Sequence, residues 1–330
     1  MKKNKNIKAL TIYIFSLILF LFLPLSLAAA QNFGLAITPP LLEVMIKPGK
    51  TITQVYKLTN QGDDAQIYLN LYPFEPSDKL GNINLKMESS TSSLPWITWF
   101  SLQNTDIKLP GGFLLKSGET QELVLKIRVP ENAKELDYYA SLVFQVKPPE
   151  NQIGFSGTQA GGILASNILL TVSKDGLPIK NGSITEFNAL SGLKLPFINL
   201  QIFDSFDLIS FNLIVKNTGK AVLKPLGAVK ILNSKQKELE FIEVLPQNIL
   251  VNSQRKLFAK GSEENILKEI YWQPRGLSLG KYQASAEFIL SGSNNEISST
   301  ISFLIFPWKA SLGFAIALMV ISFIKKMLKK

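Results

Sequence analysis

The sequence predicts an all-β protein with two tandem sandwich domains and one C-terminal transmembrane helix. Between residues 31 and 306, short segments of alternating apolar and polar residues recur, with turn residues every ~8–12 positions. The same stretch contains no long segment of helical periodicity, which favours strands throughout. The helix is predicted from a charge-free apolar run over residues 310–324.

The N-terminal residues 1–30 have the composition of a secretory signal peptide. Lysines 2, 3, 5 and 8 form a basic region, and an apolar run over residues 9–27 follows it. Three alanines then predict cleavage after Ala30. Because the apolar run is long for a signal, an uncleaved N-terminal anchor is the alternative. Either interpretation exports the middle of the chain.

The C-terminal end predicts a membrane anchor over residues 307–324. A helical run over 310–324 spans about 22 Å, and Phe306 and Trp308 can occupy the interface to complete a crossing. Residues 325–330 contain four lysines and no acid, which predicts a cytoplasmic tail. The sequence therefore predicts a single-pass cell-membrane protein with extracytoplasmic N-terminal domains. A buried core helix with a solvated basic end is the alternative.

Charge and composition exclude several classes of function. The net charge is +10, but four lysines lie in residues 1–30 and five in residues 309–330, which leaves +1 for residues 31–308. The exported part therefore lacks the basic face that nucleic-acid binding needs. The chain has no Cys and no His, which removes disulfides, most hydrolase triads and nearly all zinc sites. We predict no catalytic residue, no metal site and no cofactor.

Residues 31–175 predict a first immunoglobulin-like β-sandwich. The segment 120–129 is the clearest strand, because alternate residues Leu123, Leu125, Ile127 and Val129 are apolar and share one face. Further predicted strands cover 35–46 with a break at Pro39-Pro40, 51–59, 66–74, 138–146 and 163–172. Turns are predicted at Asn60-Gln61-Gly62, at Pro110-Gly111-Gly112 and at Ser117-Gly118.

Residues 176–306 predict a second sandwich after a linker at 174–178. Phe211, Leu213 and Val215 alternate with polar residues and lead into the turn Asn217-Thr218-Gly219, which mirrors the earlier Asn60-Gln61-Gly62. A later strand has one apolar face and turns into residues 296–305. That face consists of Tyr282, Ala284, Ala286, Phe288 and Leu290.

The Gly- and Pro-rich connection over residues 148–162 is the candidate contact site for a partner. It is long for a loop inside a compact domain, and such loops are functional or mobile. It contains Ile153 and Phe155, apolar residues with no strand to bury them. We predict that Ile153, Phe155 and Gln159 bind the partner. The alternative is a hairpin tip whose apolar side chains fold back onto the sheet.

The acidic pairs and one short motif predict no chemistry. Gly49-Lys50-Thr51 resembles the end of a phosphate loop, but Val44 stands where the earlier Gly is needed. Asp204 and Asp207 lack the spacing of a calcium loop. Adjacent acids such as Asp63-Asp64 are usually solvated, so they do not predict a glycosidase.

Several stretches resemble known surface proteins. Residues 37–62, 94–99, 115–133 and 138–146 (ITPPLLEVMIKPGKTITQVYKLTNQG, LPWITW, LKSGETQELVLKIRVPENA and YYASLVFQV) resemble a pilus-chaperone sandwich. Residues 213–232, 244–248 and 280–288 continue the likeness. With the signal and the anchor, the chain resembles the WxL-interacting surface proteins of Gram-positive bacteria. That resemblance implies a peptidoglycan-contacting first domain and a partner-facing second one. Asp137 departs from it, because Gly is usual there.

These observations predict a non-catalytic, membrane-anchored adhesion or scaffolding protein of the cell surface. Its expected partners are a bacterial cell-wall polymer or a surface protein, together with the membrane and no nucleic acid. The alternative is a chaperone-like module that assists secreted subunits by lending an edge strand. The membrane anchor favours the first function, because such a chaperone is expected to be released into its compartment.

Overall fold

The computed structural model describes residues 34–87, 94–103, 106–147, 162–195, 200–261, 267–292 and 295–328. The predicted signal peptide lies outside the described residues, and so do the candidate residues Ile153, Phe155 and Gln159. Within the described ranges the chain is built of strands, with one short 3-10 helix and one C-terminal α-helix. The predicted fold class is confirmed: two β-sandwiches follow one another and an apolar helix ends the chain.

The first sandwich consists of two facing sheets. One sheet has the order β1-β3-β8-β6, and the other has the order β2-β10-β9-β4-β5, with β7 also paired to β4. Strands β1 and β2 come from one predicted segment, which changes sheets at Pro39-Pro40. The elements are β1 Leu35–Thr38, β2 Leu41–Ile46, β3 Thr51–Asn60, β4 Ala65–Pro76, β5 Ile83–Leu85, the 3-10 helix Pro95–Trp99, β6 Phe100–Leu102, β7 Gly111–Leu115, β8 Thr120–Arg128, β9 Asp137–Lys147 and β10 Ile163–Val172.

The core of this sandwich follows the predicted alternation. Leu123, Leu125, Ile127 and Val129 are all buried, and they pack against inward-facing residues of β4 and β9. The rings of the 3-10 helix complete one end of this core. Trp96 and Trp99 both contact Tyr138, with ring centroids 5.4 and 4.8 Å apart.

Two local predictions were wrong. Gly111 and Gly112 already belong to strand β7 rather than to a turn, and the chain bends just before them, where a β-carbon at Gly111 would overlap the Lys108 carbonyl. Strand β4 continues to Pro76 instead of ending at residue 74. Its pairing with β9 ends at Pro73, a residue that has no N–H to donate, and pairing with β5 begins at the next residue.

The second sandwich repeats this plan with different strand orders. One sheet has the order β11-β14-β17, with β18 also paired to β14, and the other has the order β12-β13-β20-β19-β15-β16. The predicted faces of β14 and β19 are buried apart from half-buried Tyr282. The strands are β11 Gly182–Ala189, β12 Leu193–Leu195, β13 Leu200–Phe203, β14 Ile209–Asn217, β15 Pro225–Asn233, β16 Glu238–Glu243, β17 Gln254–Lys256, β18 Ile270–Trp272, β19 Gly280–Leu290 and β20 Glu296–Ile305.

The two mirrored Asn-x-Gly turns have the same structure. The Asn60 side chain is buried; its Nδ2 donates to the Leu115 carbonyl at 3.0 Å, and its Oδ1 accepts from Gly62 N–H at 3.0 Å. The Asn217 side chain does the same with the Ile249 carbonyl at 2.8 Å and Gly219 N–H at 2.9 Å. In both sandwiches a buried amide therefore joins the end of a core strand to a neighbouring strand or loop.

The C-terminal helix α1 covers Trp308–Leu328 and ends later than predicted. Its 21 residues correspond to about 31 Å, close to the ~30 Å of a bilayer core. No residue of α1 is buried against the sandwiches, and its length and composition suit a membrane crossing. Lys325 and Lys326 belong to its last turn, where their charges favour the negative end of the helix.

We predict that Leu125→Asp unfolds the first sandwich and leaves the second folded. Burying a charge without a partner costs several kcal/mol, and the two sandwiches have separate principal cores. Lys126→Asp is the matched control, because residue 126 faces the other side of β8 and is half-exposed. The expected result is the loss of one of two melting transitions in Leu125→Asp alone. Loss of both transitions would contradict the proposed boundary near residues 174–178.

Candidate functional site between the two sandwiches

Asp137 and Tyr139, at the start of β9, join the first sandwich to the second. Asp137 Oδ2 accepts hydrogen bonds from Tyr139 OH at 2.8 Å and from Val222 N–H at 2.5 Å. Tyr139 OH in turn accepts from Val251 N–H at 3.1 Å. Both amides belong to loops of the second sandwich. One carboxylate and one phenol therefore satisfy two backbone donors across the junction.

Burial disfavours the ionised forms of both Asp137 and Tyr139. It raises the pKa of Asp137, an effect that the hydrogen bonds from Tyr139 and Val222 and the charge of Lys180 oppose. The pKa of Tyr139 is raised too, first by burial and then by the nearby Asp137 carboxylate. Asp137 Oδ1 is buried without a hydrogen-bond partner among the described residues. The junction therefore contains a carboxyl group whose charge is poorly compensated.

A small apolar cluster surrounds the pair. Phe74 and Leu169 of the first sandwich pack with Leu250 of the second. The Phe74 ring stacks on Tyr139, with centroids 5.7 Å apart and planes inclined by 22°. Because this cluster contains side chains from both sandwiches, it buries apolar surface only while the two are docked.

Next to this cluster, a cleft of about 380 Å³ opens between the sandwiches. Its walls are apolar on both sides, and polar groups lie at its ends. The apolar lining residues are Leu41, Phe74, Ile83, Leu169 and Leu250, and the polar ones include Glu43, Asp78, Lys224, Gln247, Asn248 and Arg255.

Arg255 is the most unusual group in the cleft. Its Nη1 donates to the Asn248 carbonyl at 2.7 Å, but its Nε is buried without a partner among the described residues. Burial lowers the pKa of Arg255, against a weaker opposite effect of Asp78. The Asp78 carboxylate is engaged elsewhere, by Asn82 Nδ2 at 2.6 Å and by two backbone amides. Within the described part of the chain, no acid forms an ion pair with this guanidinium.

Gly81 makes room for the Arg255 guanidinium. Its backbone has φ +91°, a left-handed conformation that glycine adopts without strain. A β-carbon at this position would also overlap the guanidinium. Residue 81 therefore has two independent reasons to be glycine, and the second is specific to the cleft.

Asn248, whose carbonyl accepts from Arg255, also joins a second group of charges in the cleft. Glu43 accepts from Asn248 Nδ2 and lies 3.5 Å from Lys224 Nζ, and all three residues line the cleft. The acceptors Asn248 Oδ1 and Gln247 Oε1 are buried without partners in the part of the chain that the structure describes. Arg255 therefore lines the cleft with a charge that Asp78 offsets only weakly, and two buried amide oxygens near it lack a described partner.

A second candidate feature is the open edge of β10. Strand β2 pairs with β10 only over Asn167–Val172, so the first residues of β10 have β9 on one side and no described strand on the other. Asn167 N–H points to the β2 side and donates to Pro40 O at 3.2 Å. By the alternation of a strand, the N–H groups of Ile163 and Ala165 point to the same open side.

The residues predicted to bind a partner lie just before this edge. Ile153, Phe155 and Gln159 belong to the connection between β9 and β10, outside the described residues, so their role stays a prediction. Sequence reasoning missed Arg255 and Gly81, which are far apart in the chain. Of the residues at the junction, Asp137 alone was noted in the sequence, because it stands where the resemblance implies Gly.

No protein-family model matches the sequence, and no curated protein matches it. Solved structures do match. A chain of the chaperone–tip adhesin complex of CFA/I fimbriae is 12% identical at a TM-score of 0.36, over 82% of this chain and 98% of that one. The E. coli chaperone DraB is 11% identical at a TM-score of 0.34, over 82% and 97%. The Pseudomonas aeruginosa chaperone CupB2 is 9% identical at a TM-score of 0.33, over 79% and 97%.

These similarities concern the fold alone. The neighbours reported above are pilus-chaperone-like sandwiches. The finer resemblance to WxL-interacting proteins stays a prediction. Within the described ranges, no group of three or more Asp or Glu side chains is placed to hold a metal ion.

We predict that Asp137→Asn removes a pH-dependent part of the stability. Because burial raises the pKa of Asp137, its contribution is fully present below the ordinary pKa of 3.8 and is lost as the pH rises through the raised value. Asparagine keeps the acceptor for Tyr139 and Val222 without a charge. The difference in unfolding free energy between variant and wild type should therefore move in favour of the variant as the pH rises through this window.

Denaturant titration in detergent, followed by circular dichroism at several pH values, measures this difference. Asp137→Ala is the control: it removes the acceptor as well as the titrating group, so it is expected to be about 1–3 kcal/mol less stable than Asp137→Asn at every pH. A difference between Asp137→Asn and wild type that stays constant with pH would contradict the assignment.

Proposed function

We propose that this chain is a membrane-anchored, extracytoplasmic, non-catalytic binding protein that holds a polypeptide of the cell surface in the cleft between its sandwiches. The observation that carries the proposal is Arg255. The guanidinium is partly desolvated, and the Asp78 carboxylate offsets its charge only weakly, which is costly to the free protein. An anionic ligand group would offset that cost, so the cleft favours a ligand with a carboxylate at this position.

The walls of the cleft favour a polypeptide over a cell-wall glycan. Sugar-binding sites commonly use accessible aromatic rings, whereas the aromatic ring that lines this cleft belongs to Phe74, which is buried and stacked on Tyr139. Leu41, Ile83 and Leu250 instead provide aliphatic surface for apolar side chains. A wall polymer remains the other outcome that the experiment below distinguishes.

Composition supports the non-catalytic part of the proposal. The chain has no His and no Cys, so the usual general bases and nucleophiles are limited to carboxylates, lysines and hydroxyls. Asp204 and Asp207, an acidic pair noted in the sequence, both bond to the start of α1 rather than face the cleft. These features support a binding role.

The distribution of lysines supports the proposed location. Helix α1 is long and apolar enough to cross a membrane, and the segment that follows it is lysine-rich without an acid. Positive charge next to a membrane span favours the cytoplasmic side. We therefore place the C-terminus in the cytoplasm and both sandwiches outside, which fits the resemblance to the WxL-interacting surface proteins.

We predict that Arg255→Met lowers partner binding without lowering stability. Methionine fills similar space and removes a poorly compensated charge, so the melting temperature should stay the same or rise. Losing one member of an ion pair across an interface costs about 2–5 kcal/mol, so capture of the partner should fall at least about tenfold. Arg128→Met, an exposed arginine at the end of β8, is the matched control and should change neither.

The measurement is crosslinking on intact cells followed by purification of the full chain and quantification of the bound protein. Retention on purified cell wall, measured in parallel, tests the wall polymer. Gly81→Ala should reproduce the loss of capture, because its β-carbon displaces the guanidinium. Capture by Arg255→Met equal to that by wild type would remove the cleft as the binding site.

The open edge of β10 favours a second function, a tethered chaperone-like module. The first residues of this strand offer backbone donors to an added strand, and Ile163 is 60% exposed beside them. Such pairing would complete a secreted subunit by strand addition.

We predict that Ala165→Pro separates this function from cleft binding. Proline removes the outward-pointing N–H of residue 165 and leaves the hydrogen bonds to β9 in place, which edge strands tolerate. Ala165→Ser keeps that N–H and is the control. If an added strand binds here, the proline variant should lose the partner while its melting temperature falls by only a few degrees. Unchanged binding of a folded Ala165→Pro variant would exclude strand addition at this edge.

A further inference from the structure

Three loops of the second sandwich expose large apolar side chains at one end of the domain. They are residues 190–193, residues 204–208 and residues 276–279, which we call the membrane-side loops. Leu277 is 74% exposed, Leu279 67% and Phe206 59%. The other exposed apolar residues of these loops are Leu190, Leu193 and Leu208.

Strand pairing places these loops at the end where α1 begins. Strand β20 runs to Ile305, and α1 starts at Trp308 after two intervening residues. Ile305 is paired with Phe203, which precedes the second loop, and with Gly280, which follows the third. Strand β12 starts at Leu193, opposite Ile202, so the first loop lies at the same end.

Side chains hold the second loop, the third loop and the helix together. Buried Asp204 accepts from Lys309 N–H at 2.9 Å through Oδ2, and Asp207 forms an ion pair with Lys309 Nζ. Ser205 Oγ donates to the Ser278 carbonyl at 2.6 Å. The first turn of α1 is thus bonded to the domain. If α1 crosses a bilayer, the domain cannot swing freely away from it.

Basic residues surround the apolar loops. Lys281 follows the third loop and Arg275 precedes it, and both are exposed. Lys235 and Lys237 lie in the turn between β15 and β16, which is at the same end because Asn233 pairs with Tyr282. Several acids lie at the same end: Asp204 and Asp207 both bind Lys309, Glu240 lies 3.8 Å from Arg275, and exposed Glu238 follows Lys237, which leaves only a small basic excess. Exposed apolar tips with a basic surround match the interface of an anionic bilayer.

We propose that the membrane-side loops dock on the outer surface of the bilayer that α1 crosses, with Phe206, Leu277 and Leu279 in the interfacial layer. This rests on the proposed membrane span of α1, which fixes the interface at the level of Trp308. The consequence is a fixed orientation of the second sandwich. Strand β19 has 11 residues and rises about 36 Å, so the junction with the first sandwich would be held roughly that far above the membrane.

The absence of cysteine from the chain allows a direct test. Leu277→Cys and, in another loop, Leu193→Cys are each labelled with an environment-sensitive fluorophore. The full chain is then reconstituted into vesicles of phosphatidylcholine and phosphatidylglycerol that contain a lipid with a nitroxide near its headgroup. Leu177→Cys is the matched control, because Leu177 is 72% exposed and lies at the opposite end of the second sandwich.

We expect the lipid nitroxide to quench the labels at 193 and 277 at least about twofold more than the label at 177, and aqueous iodide to show the reverse order. Equal quenching at all three positions would overturn the proposal. Labels at 193 and 277 that are shielded from iodide but not quenched by lipid would overturn it too, because a second copy or another protein would then cover the loops.

A fourth variant separates this inference from the proposed topology. Lys326→Cys should react with a membrane-impermeant reagent added outside right-side-out spheroplasts only after permeabilisation. Reaction without permeabilisation would overturn the topology and this inference with it. Protection of residue 326 without lipid quenching at 193 and 277 would leave the span in place and overturn the docking alone.

Discussion

The Asp137 carboxylate binds both sandwiches at the junction on which the cleft depends. It accepts from Tyr139 within its own sandwich and from a backbone amide of the other, and Tyr139 accepts from a second such amide. Backbone amides that are buried at a junction need acceptors, and here one residue pair provides them for two loops. The cleft depends on this arrangement, because Arg255 and Gly81 meet only when the sandwiches are docked in this way.

The junction and the cleft share one energetic feature. Burial raises the pKa of Asp137 and lowers that of Arg255, so each group is held where its charged form is disfavoured. These two groups are not a pair: Asp137 bonds to backbone amides, and Arg255 bonds to a backbone carbonyl. A structure selected only for stability could replace either group by an apolar one. Their presence together at one junction is what the proposed role in binding and in domain orientation requires.

The parts of the fold that could be predicted are those in which local pattern determines structure. Alternation along β8 predicts its buried face correctly. The repeated Asn-x-Gly pattern predicts that the two turns are equivalent, and both turns have the same buried asparagine hydrogen bonds. The cleft could not be predicted, because Gly81 and Arg255 are brought together by docking and neither belongs to a motif. Asp137 departs from the resemblance, but its role at the junction could not be predicted. Its partner in the second sandwich is the backbone N–H of Val222, and every residue except proline has such a group.

The two ends of the second sandwich explain why its loops differ in character. The end towards the first sandwich contains Asn217, whose buried amide closes the loops around Val222 and Ile249 and so presents the backbone N–H that Asp137 binds. The opposite end has Asp204, whose carboxylate binds the backbone of α1. Its neighbouring loops leave leucines exposed where a free domain would have polar tips. The same strands, β14, β19 and β20, connect both ends. If α1 crosses a bilayer as proposed, these strands link its orientation to the junction, and the membrane would then help to set the direction in which the cleft opens.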